Sequence, residues 1–313
     1  MKHVILGAGG AIGNALAYEL LEQKQEVRLF SRSGYAIDGT ESQSGNLMSI
    51  DDTERALSGC DIAHLCVGLP YQYEVWRKQW PVIMRNTIEA CKKQNVKLVF
   101  FDNVYMYGKV SGKMTEETPY NPCSKKGEVR AEVARMLEQE MQAGNLKAVI
   151  ARASDIYGPY GGQNSMPYLM VFEKMLQGKK PQWMFDARKT HSFTYIPDIA
   201  RGMRMLADCD ECYGQVWHLP TYNPAPDGET FIALAARNLG VNPDYSVLKM
   251  WMIKMVALFN KTVKELPEMA YQMQEDFYVD STKFENYFNY QPKAYDEGIK
   301  ETIEYLRRKI SDT

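Results

Sequence analysis

The sequence predicts an α/β fold: a doubly wound parallel sheet with a smaller C-terminal lobe. Three observations carry this prediction. Short apolar runs alternate with helical segments through the first half of the chain, four glycines follow the first run directly, and the alternation loosens after Gly158 and Pro159. Strands that alternate with helices are typical of a parallel sheet covered on both faces. A chain of 313 residues is long enough for such a domain and a second lobe.

The elements follow in a regular order. Residues 3–6 form an apolar run typical of a strand buried on both faces, residues 15–21 have helical composition, and residues 26–30 predict the next strand. This is one βαβ unit with its glycines at the turn from strand to helix. Later strands are predicted at 61–67, 96–101 and 146–152, and helices at 83–93 and 127–141.

Composition and charge exclude several classes of protein. A net charge of −2 gives no basic field for nucleic acid or anionic membranes. The apolar stretch 251–259 is interrupted by Lys254 and is too short to span a bilayer. We expect no secretory signal, no disulfide framework among six scattered cysteines, and a reducing, cytoplasmic setting. The Cys209 to Cys212 pair is predicted to form a surface turn rather than a zinc or redox site.

The glycine-rich turn predicts a dinucleotide site. Its residues are Gly7, Gly9, Gly10, Ala11, Ile12 and Gly13. Glycines allow a tight turn and let the backbone approach a pyrophosphate, and the helix that follows directs free N–H groups at the anion. The alternative, a purely structural turn, explains four glycines in seven residues poorly.

The end of the second predicted strand indicates which dinucleotide is bound. An acidic residue there would bond the ribose 2′-hydroxyl of NAD. The chain has Ser31, Arg32 and Ser33 instead, which suits a 2′-phosphate. NADP is therefore favoured, and NAD remains compatible if Arg32 is only a solvated arginine at a strand end.

Further segments carry a family resemblance. They are residues 61–66 (DIAHLC), 104–108 (VYMYG), 117–122 (ETPYNP), 152–159 (RASDIYGP), 192–200 (SFTYIPDIA) and 214–219 (GQVWHL). In this order, after a glycine turn, the chain resembles the extended short-chain dehydrogenase/reductases, which include the NAD-dependent epimerases and dehydratases. The resemblance implies an N-terminal Rossmann domain and a smaller lobe that shapes the substrate pocket.

The resemblance also implies how the chain is divided. We expect the cofactor domain at residues 1–160 with a return segment at about 190–222, and the substrate lobe at 161–189 and 223–313. The strand at 214–219 would return to the cofactor domain. Cys66, at the end of its strand, is expected to contact the cofactor. A homodimer is also compatible with the resemblance, because members of the family often form homodimers.

The sequence departs from the family at its catalytic residues. The family uses a Tyr-x-x-x-Lys pair with a Ser or Thr, but matching its pattern puts Lys126 at the Tyr position, Arg130 at the Lys position and Asn103 at the Ser position. This resembles an atypical branch of the family. Arg130 can still bond a ribose, and Asn103 can bond a substrate carbonyl without easily exchanging a proton. A solvated helix start is the alternative for Lys126 and Arg130.

Tyr105 is the preferred substitute for the missing acid. It stands two residues after Asn103, so strand alternation would point both side chains to the same face. Lys126 would assist it electrostatically, or act as the acid itself if burial or Arg130 lowers its pKa. The alternative for Tyr105 is an aromatic residue packed at a strand end.

The substrate side leaves two functions open. Relatives that act on nucleotide sugars place an arginine for phosphate where this chain has His191; Arg188 and Lys189 lie just upstream. A nucleotide sugar is therefore doubtful, and the many Met and aromatic residues of the lobe form its core or line a pocket for an apolar substrate. We expect an oxidoreductase or epimerase-like enzyme on a small carbonyl or alcohol, or else a catalytically silent NADP(H)-binding sensor.

Overall fold

The computed structural model describes residues 1–260 and 262–311 and centres on a parallel sheet of seven strands. These strands are β1 (Lys2–Leu6), β2 (Glu26–Ser31), β3 (Glu41–Ser44), β4 (Ile62–Leu65), β5 (Lys97–Asp102), β7 (Ala148–Arg152) and β11 (Val216–His218). Their order across the sheet is β11-β7-β5-β4-β1-β2-β3. The predicted fold class is confirmed.

The remaining strands form small parallel pairs outside this sheet. They are β6 (Lys113–Met114), β8 (Asp155–Tyr157), β9 (Gln182–Met184), β10 (Phe193–Tyr195), β12 (Ser246–Leu248) and β13 (Tyr278–Val279). Strand β10 pairs with β8, β12 with β9, and β13 with β6.

The helices cover the sheet and build the lobe. They are α1 (Ala11–Glu22), α2 (Ile50–Leu57), α3 (Tyr73–Gln94), α4 (Lys125–Gln142), α5 (Glu173–Leu176), α6 (Ile196–Asp208), α7 (Gly228–Leu239), α8 (Met250–Ala257), α9 (Tyr271–Gln274), α10 (Thr282–Phe288) and α11 (Tyr295–Ser311). Within the described residues, none of these helices is both long and apolar enough to cross a membrane.

Two apolar cores bury the two faces of the sheet. On one face, alternate strand residues such as Leu98 pack with Trp80 of α3 and Val133 of α4. On the other face, Val99 packs in the same core as Leu16 of α1. Because both faces are covered, most positions of β1, β4 and β7 are apolar on either face, which is why the sequence shows short runs there rather than alternation.

The chain returns to the sheet late. Strand β11 pairs with β7 through Val216 and Ile150, and α6 packs on the same sheet face as α1. The segment at 214–219 thus completes the sheet edge. The predicted division of the chain into two lobes is kept as a proposal. A third core, which contains Phe172, Trp183 and Phe231, fills the region after residue 158.

Cys209 and Cys212 form a disulfide, which the prediction of a surface turn in a reducing setting did not include. A 3-10 turn at Asp210–Cys212 follows α6 and brings the two Cα atoms to 5.3 Å, within the range that a disulfide requires. The predicted turn is present, but its cysteines are bonded to each other. Cys60, Cys66, Cys91 and Cys123 are free thiols.

Candidate active site

A cavity of about 1030 Å³ opens at the carboxyl edge of the sheet. Its lining comes from the residues that follow the strands: Gly7 after β1, Ser31 at the end of β2, Val67 after β4, Asn103 after β5 and Asp155 after β7. In open α/β sheets this edge is where ligands bind. The other side of the lining comes from the region after the glycine turn's domain, with residues between 163 and 185 and between 262 and 273.

The glycine turn is shaped as a cradle. Gly7 and Gly9 have φ values of 100° and 88°, which favour glycine, and a Cβ atom on Gly7 would lie 2.8 Å from the backbone of Val67. A Cβ on Gly13 would lie 3.1 Å from the Gly7 carbonyl oxygen, so its absence lets α1 start close to β1.

The first turn of α1 offers free donors at this cradle. Its N-cap residue, Gly10, makes no side-chain cap hydrogen bond, and Ala11 and Ile12 are buried behind it. The N–H groups of this turn therefore have no side-chain acceptor and can meet an anion. Together with the long adjoining cavity, the turn fits the pyrophosphate of a dinucleotide, as the sequence predicts.

Arg32 reaches the cavity without a partner. It is exposed, lines the cavity beside Gly45 and Asn46, and has neither an ion pair nor a hydrogen bond to any residue that the structure describes. The Ser31 hydroxyl instead accepts the backbone N–H of Tyr35 at 2.9 Å. A free guanidinium at this end suits an added phosphate.

Cys66 lies behind the cavity wall. Its side chain is buried, and the cavity is lined by the next residues, Val67 and Gly68. Its backbone N–H donates to the Leu6 carbonyl oxygen at 2.8 Å. The predicted contact of Cys66 with the cofactor stays a prediction.

A buried carboxylate holds two arginines at the cavity floor. Asp102, at the end of β5, accepts two hydrogen bonds from Arg130, that from Nε at 2.8 Å, and accepts Nε–H of Arg152 at 3.2 Å. Arg130 lines the cavity and its guanidinium lies 4.3 Å from the ring centre of Trp80. The predicted ribose contact of Arg130 remains a proposal, since Asp102 occupies two of its donors. No local sequence pattern indicates this pairing, since Asp102 and Arg130 lie 28 positions apart.

Asn103 and Tyr105 both reach the cavity, but not by strand alternation. Strand β5 ends at Asp102, and residues Tyr105–Tyr107 form a 3-10 turn whose first N–H donates to Asn103 Oδ1 at 3.0 Å. The expected alternation is therefore wrong, while both side chains still line the cavity.

Tyr105 is held as a neutral phenol. Its ring stacks on Trp76 with centroids 6.2 Å apart. Burial raises the pKa of Tyr105 well above its usual value, and the neighbouring Tyr71 and Asp155 add to the effect. Tyr105 can therefore donate a hydrogen bond at neutral pH but is a poor base.

Lys126 is occupied by carboxylates. Its ammonium is completely buried and lies 2.5 Å from both Glu265 and Glu268. These glutamates belong to the segment that closes the cavity, so Lys126 fastens the lobe to the start of α4. Because the ammonium has two carboxylate partners and Lys126 does not line the cavity, the geometry does not favour Lys126 as the proton donor.

A histidine is hydrogen-bonded to Asp155, which lines the same cavity as Asn103. His191 Nε2 lies 3.0 Å from Asp155 Oδ2, and Nδ1 lies 3.0 Å from the Gln272 carbonyl oxygen. Asp155 and Gln272 line the cavity, and Gln272 Nε2 is buried without a partner. Sequence reasoning missed this pair. The available signal was that Asp155 and His191 stand where the family pattern has Asn and Arg.

The fold and the site define a dinucleotide-binding protein of the Rossmann class. The family model of the NAD dependent epimerase/dehydratase family matches residues 3–216. The chain therefore belongs to the NAD dependent epimerase/dehydratase family, whose members are enzymes.

Individual relatives are distant. The chain is 25% identical over 227 residues to an uncharacterized UDP-glucose epimerase, YtcB, of Bacillus subtilis, covering 65% of this chain and 71% of that protein. It is 26% identical over 254 residues to the 2-alkyl-3-oxoalkanoate reductase of Stenotrophomonas maltophilia, covering 75% of each. The UDP-glucuronic acid 4-epimerase of Bacillus cereus, solved with NAD, superposes with a TM-score of 0.81 at 18% identity, covering 98% of this chain and 99% of that one.

Proposed function

We propose that the chain is an NAD(P)-dependent oxidoreductase that interconverts a carbonyl and an alcohol on an uncharged substrate with an apolar part. One observation carries the proposal: the wall of the cavity beyond Asn103 and Tyr105 is mostly apolar. Its apolar residues are Met166, Leu169, Met170, Met184, Phe185, Val263, Leu266, Met269 and Met273, and its polar residues from the same segments are Gln163, Asn164, Thr262 and Gln272. Methionine-rich walls adapt to irregular apolar ligands.

The charges of the cavity support an uncharged substrate. Among the described residues, its cationic lining is Arg32 and Arg130, at the cofactor turn and the floor, and Arg130 is paired with Asp102. The substrate end instead carries the Asp155 carboxyl group beside His191. A nucleotide sugar would bring two phosphate charges to this end, where the described residues place no lysine or arginine to meet them.

The residues present can support hydride chemistry. A bound dinucleotide supplies or accepts the hydride. Gly7, Gly10 and the first turn of α1 would hold its pyrophosphate, and Arg130 would lie near its ribose. Asn103 and the neutral Tyr105 hydroxyl would orient the substrate oxygen, while Trp76 and the methionines exclude water.

Relatives support both this proposal and a second one. The Stenotrophomonas relative is named a 2-alkyl-3-oxoalkanoate reductase. The ketone and the alkyl chains in that name agree with the proposed carbonyl reduction, whereas its carboxylate group differs from the uncharged substrate proposed for this chain. The second candidate is an epimerase or dehydratase of nucleotide sugars, because the Bacillus relatives are named for UDP-sugars. Membership of an atypical branch and a homodimer remain further proposals.

Turnover assays distinguish these candidates. In one assay, purified protein receives ethyl 3-oxodecanoate with NADPH or NADH. In the other assay, it receives UDP-glucose with NAD. We expect cofactor oxidation with the keto ester and no change in UDP-glucose. Epimerised UDP-sugar would transfer the assignment to the second candidate, and tight cofactor binding without turnover of either would favour the silent sensor.

Arg32 sets the expected cofactor preference. We propose that NADPH binds more tightly than NADH because the unpaired guanidinium meets the 2′-phosphate. Arg32→Ser should weaken NADPH binding about tenfold, or roughly 1.4 kcal/mol, and leave NADH binding within about twofold. Fluorescence titration measures both constants. Arg188→Ser, on an exposed loop, is the matched control; an unchanged NADPH affinity in Arg32→Ser would rule out the phosphate contact.

A further inference from the structure

Both ring nitrogens of His191 are engaged in hydrogen bonds. Nδ1 lies 3.0 Å from the backbone carbonyl oxygen of Gln272, and Nε2 lies 3.0 Å from Asp155 Oδ2. A carbonyl oxygen can only accept, so Nδ1 must carry a hydrogen. The ring is fixed further by stacking on Phe277, with centroids 4.9 Å apart and planes within 14°.

This arrangement fixes the number of protons on the pair. A neutral imidazole with its hydrogen on Nδ1 presents a lone pair at Nε2. An ionised Asp155 would also present a lone pair, and two lone pairs do not bond. One proton must therefore lie between Nε2 and Oδ2, either on the ring as imidazolium or on the carboxyl group. With both hydrogen bonds formed, the pair carries one proton more than neutral histidine beside ionised aspartate.

The fold puts this proton where the substrate oxygen is expected. Asp155 follows β7, and β7 is the neighbour of β5 in the sheet, with Arg152 beside Asp102. Asp155 thus emerges at the same edge as Asn103 and Tyr105. The Asp155 side chain is 23% exposed in the cavity wall, whereas that of His191 is 1% exposed. The cavity therefore reaches the pair through the aspartate.

We propose that Asp155, with His191 behind it, stores the proton and delivers it to the substrate oxygen in place of the family's missing tyrosine. This inference rests on the proposed carbonyl reduction. A bound reduced dinucleotide would supply the hydride to the carbonyl carbon. As the π pair of the C=O bond moves to oxygen, that oxygen would bond the proton that Asp155 releases. The pair is left as neutral His191 and ionised Asp155, and water returns the proton. Asp155 is the catalytic residue, and His191 is a positioning residue.

The groups around the pair do not take up its proton. The hydroxyls of Tyr71, Tyr105 and Tyr271 face Asp155, and burial raises the pKa of each, so they stay protonated at neutral pH. Beside His191, the Asp276 carboxylate accepts the backbone N–H of Thr190 at 3.0 Å. Tyrosines that remain neutral cannot take the proton from the pair.

Magnetic resonance of the protein without substrate tests the proton count. The chain has four histidines, and burial lowers the pKa of His3 to about 4, that of His218 to about 3 and that of His64 well below its usual value. These three are neutral at pH 7. We expect either an imidazolium signal from His191 or a protonated Asp155 carboxyl signal beside a neutral ring. A neutral His191 beside an ionised Asp155 would overturn the proposal.

Asp155→Asn separates proton transfer from structure. The asparagine amide can donate to Nε2 and keep the bridge, but it cannot give up a proton. With ethyl 3-oxodecanoate and NADPH, we expect kcat to fall about 10²–10⁴-fold while the melting temperature and cofactor affinity stay unchanged. Asp296→Asn, on an exposed helix position, is the matched control. An active Asp155→Asn variant would make the pair a structural bridge only.

A variant of His191 tests its positioning role. In His191→Gln we expect kcat to fall while the KM for the keto ester and the cofactor affinity stay unchanged, since Asp155 loses the partner that shares its proton; an unchanged kcat would remove His191 from the proposal. If the wild-type protein does not reduce the keto ester, the proposed reduction fails with this probe, and the resonance experiment still decides whether the pair holds its proton.

Discussion

Replacing Asp102 by asparagine is expected to lower the free energy of unfolding by about 3–5 kcal/mol. Asp102 is 1% exposed, and the two arginines that it bonds, Arg130 and Arg152, are 3% and 0% exposed. Without the carboxylate, two buried guanidinium groups lose their common counter-charge. Urea denaturation at pH 7, followed by tryptophan fluorescence, measures the loss.

The size of this effect depends on burial. Asp296→Asn removes a carboxylate whose partner, Arg237, is 65% exposed, so its loss should cost less than about 1 kcal/mol. Arg152 also bonds the hydroxyls of Tyr107 and Tyr120. A loss below about 1 kcal/mol in Asp102→Asn would show that these hydroxyls and water can replace the carboxylate.

The second large effect is expected at the glycine turn. Gly7→Ala should destabilise the protein by about 2–5 kcal/mol, because the alanine must adopt a φ of 100° and its Cβ would lie 2.8 Å from the backbone of Val67. Relief requires β1 and the residues after β4 to separate, which deforms the cradle. Dinucleotide binding should fall below detection in fluorescence titration.

Gly10→Ala is the matched comparison within the same turn. Its φ of −82° is accessible to alanine, and the added Cβ would meet the Gly7 oxygen at an ordinary 3.5 Å. We expect its stability to stay within about 1 kcal/mol of the wild type. Gly7→Ala protein with wild-type stability would mean that the turn has another low-energy form.

The sequence was most informative where the structure depends on neighbouring residues. The apolar run before Gly7 and the glycine spacing specify a buried strand, a tight turn and a helix start within a dozen residues. These elements depend on the conformational preferences of neighbouring residues and on the periodicity of apolar residues, which the sequence shows directly. The cradle and six of the seven strands of the central sheet could therefore be predicted without a structure. Strand β3 (Glu41–Ser44) was not predicted, because its residues are polar.

The part of the site around Asp155 and Lys126 depends on contacts between distant residues, and prediction from sequence did not find them. His191 meets Asp155 across 36 positions, and Lys126 meets Glu265 across 139. No local pattern shows which charges will pair once the lobe folds over the sheet. For Tyr105 the predicted position was right but the reason was wrong. It was placed in the site by strand alternation, whereas the strand ends three residues before it.

The late return of the chain to the sheet determines how the protein can be divided experimentally. A fragment that stops near residue 160 would lack β11, the edge partner of β7, and α6, whose Ile199 and Met203 share a core with Leu16 and Leu20 of α1. Such a fragment would expose the apolar face of α1 and an unpaired strand edge, and would be prone to aggregate. A soluble cofactor-binding unit must therefore also include residues 193–219. A linker would join them to the first 160 residues in place of the intervening part of the lobe.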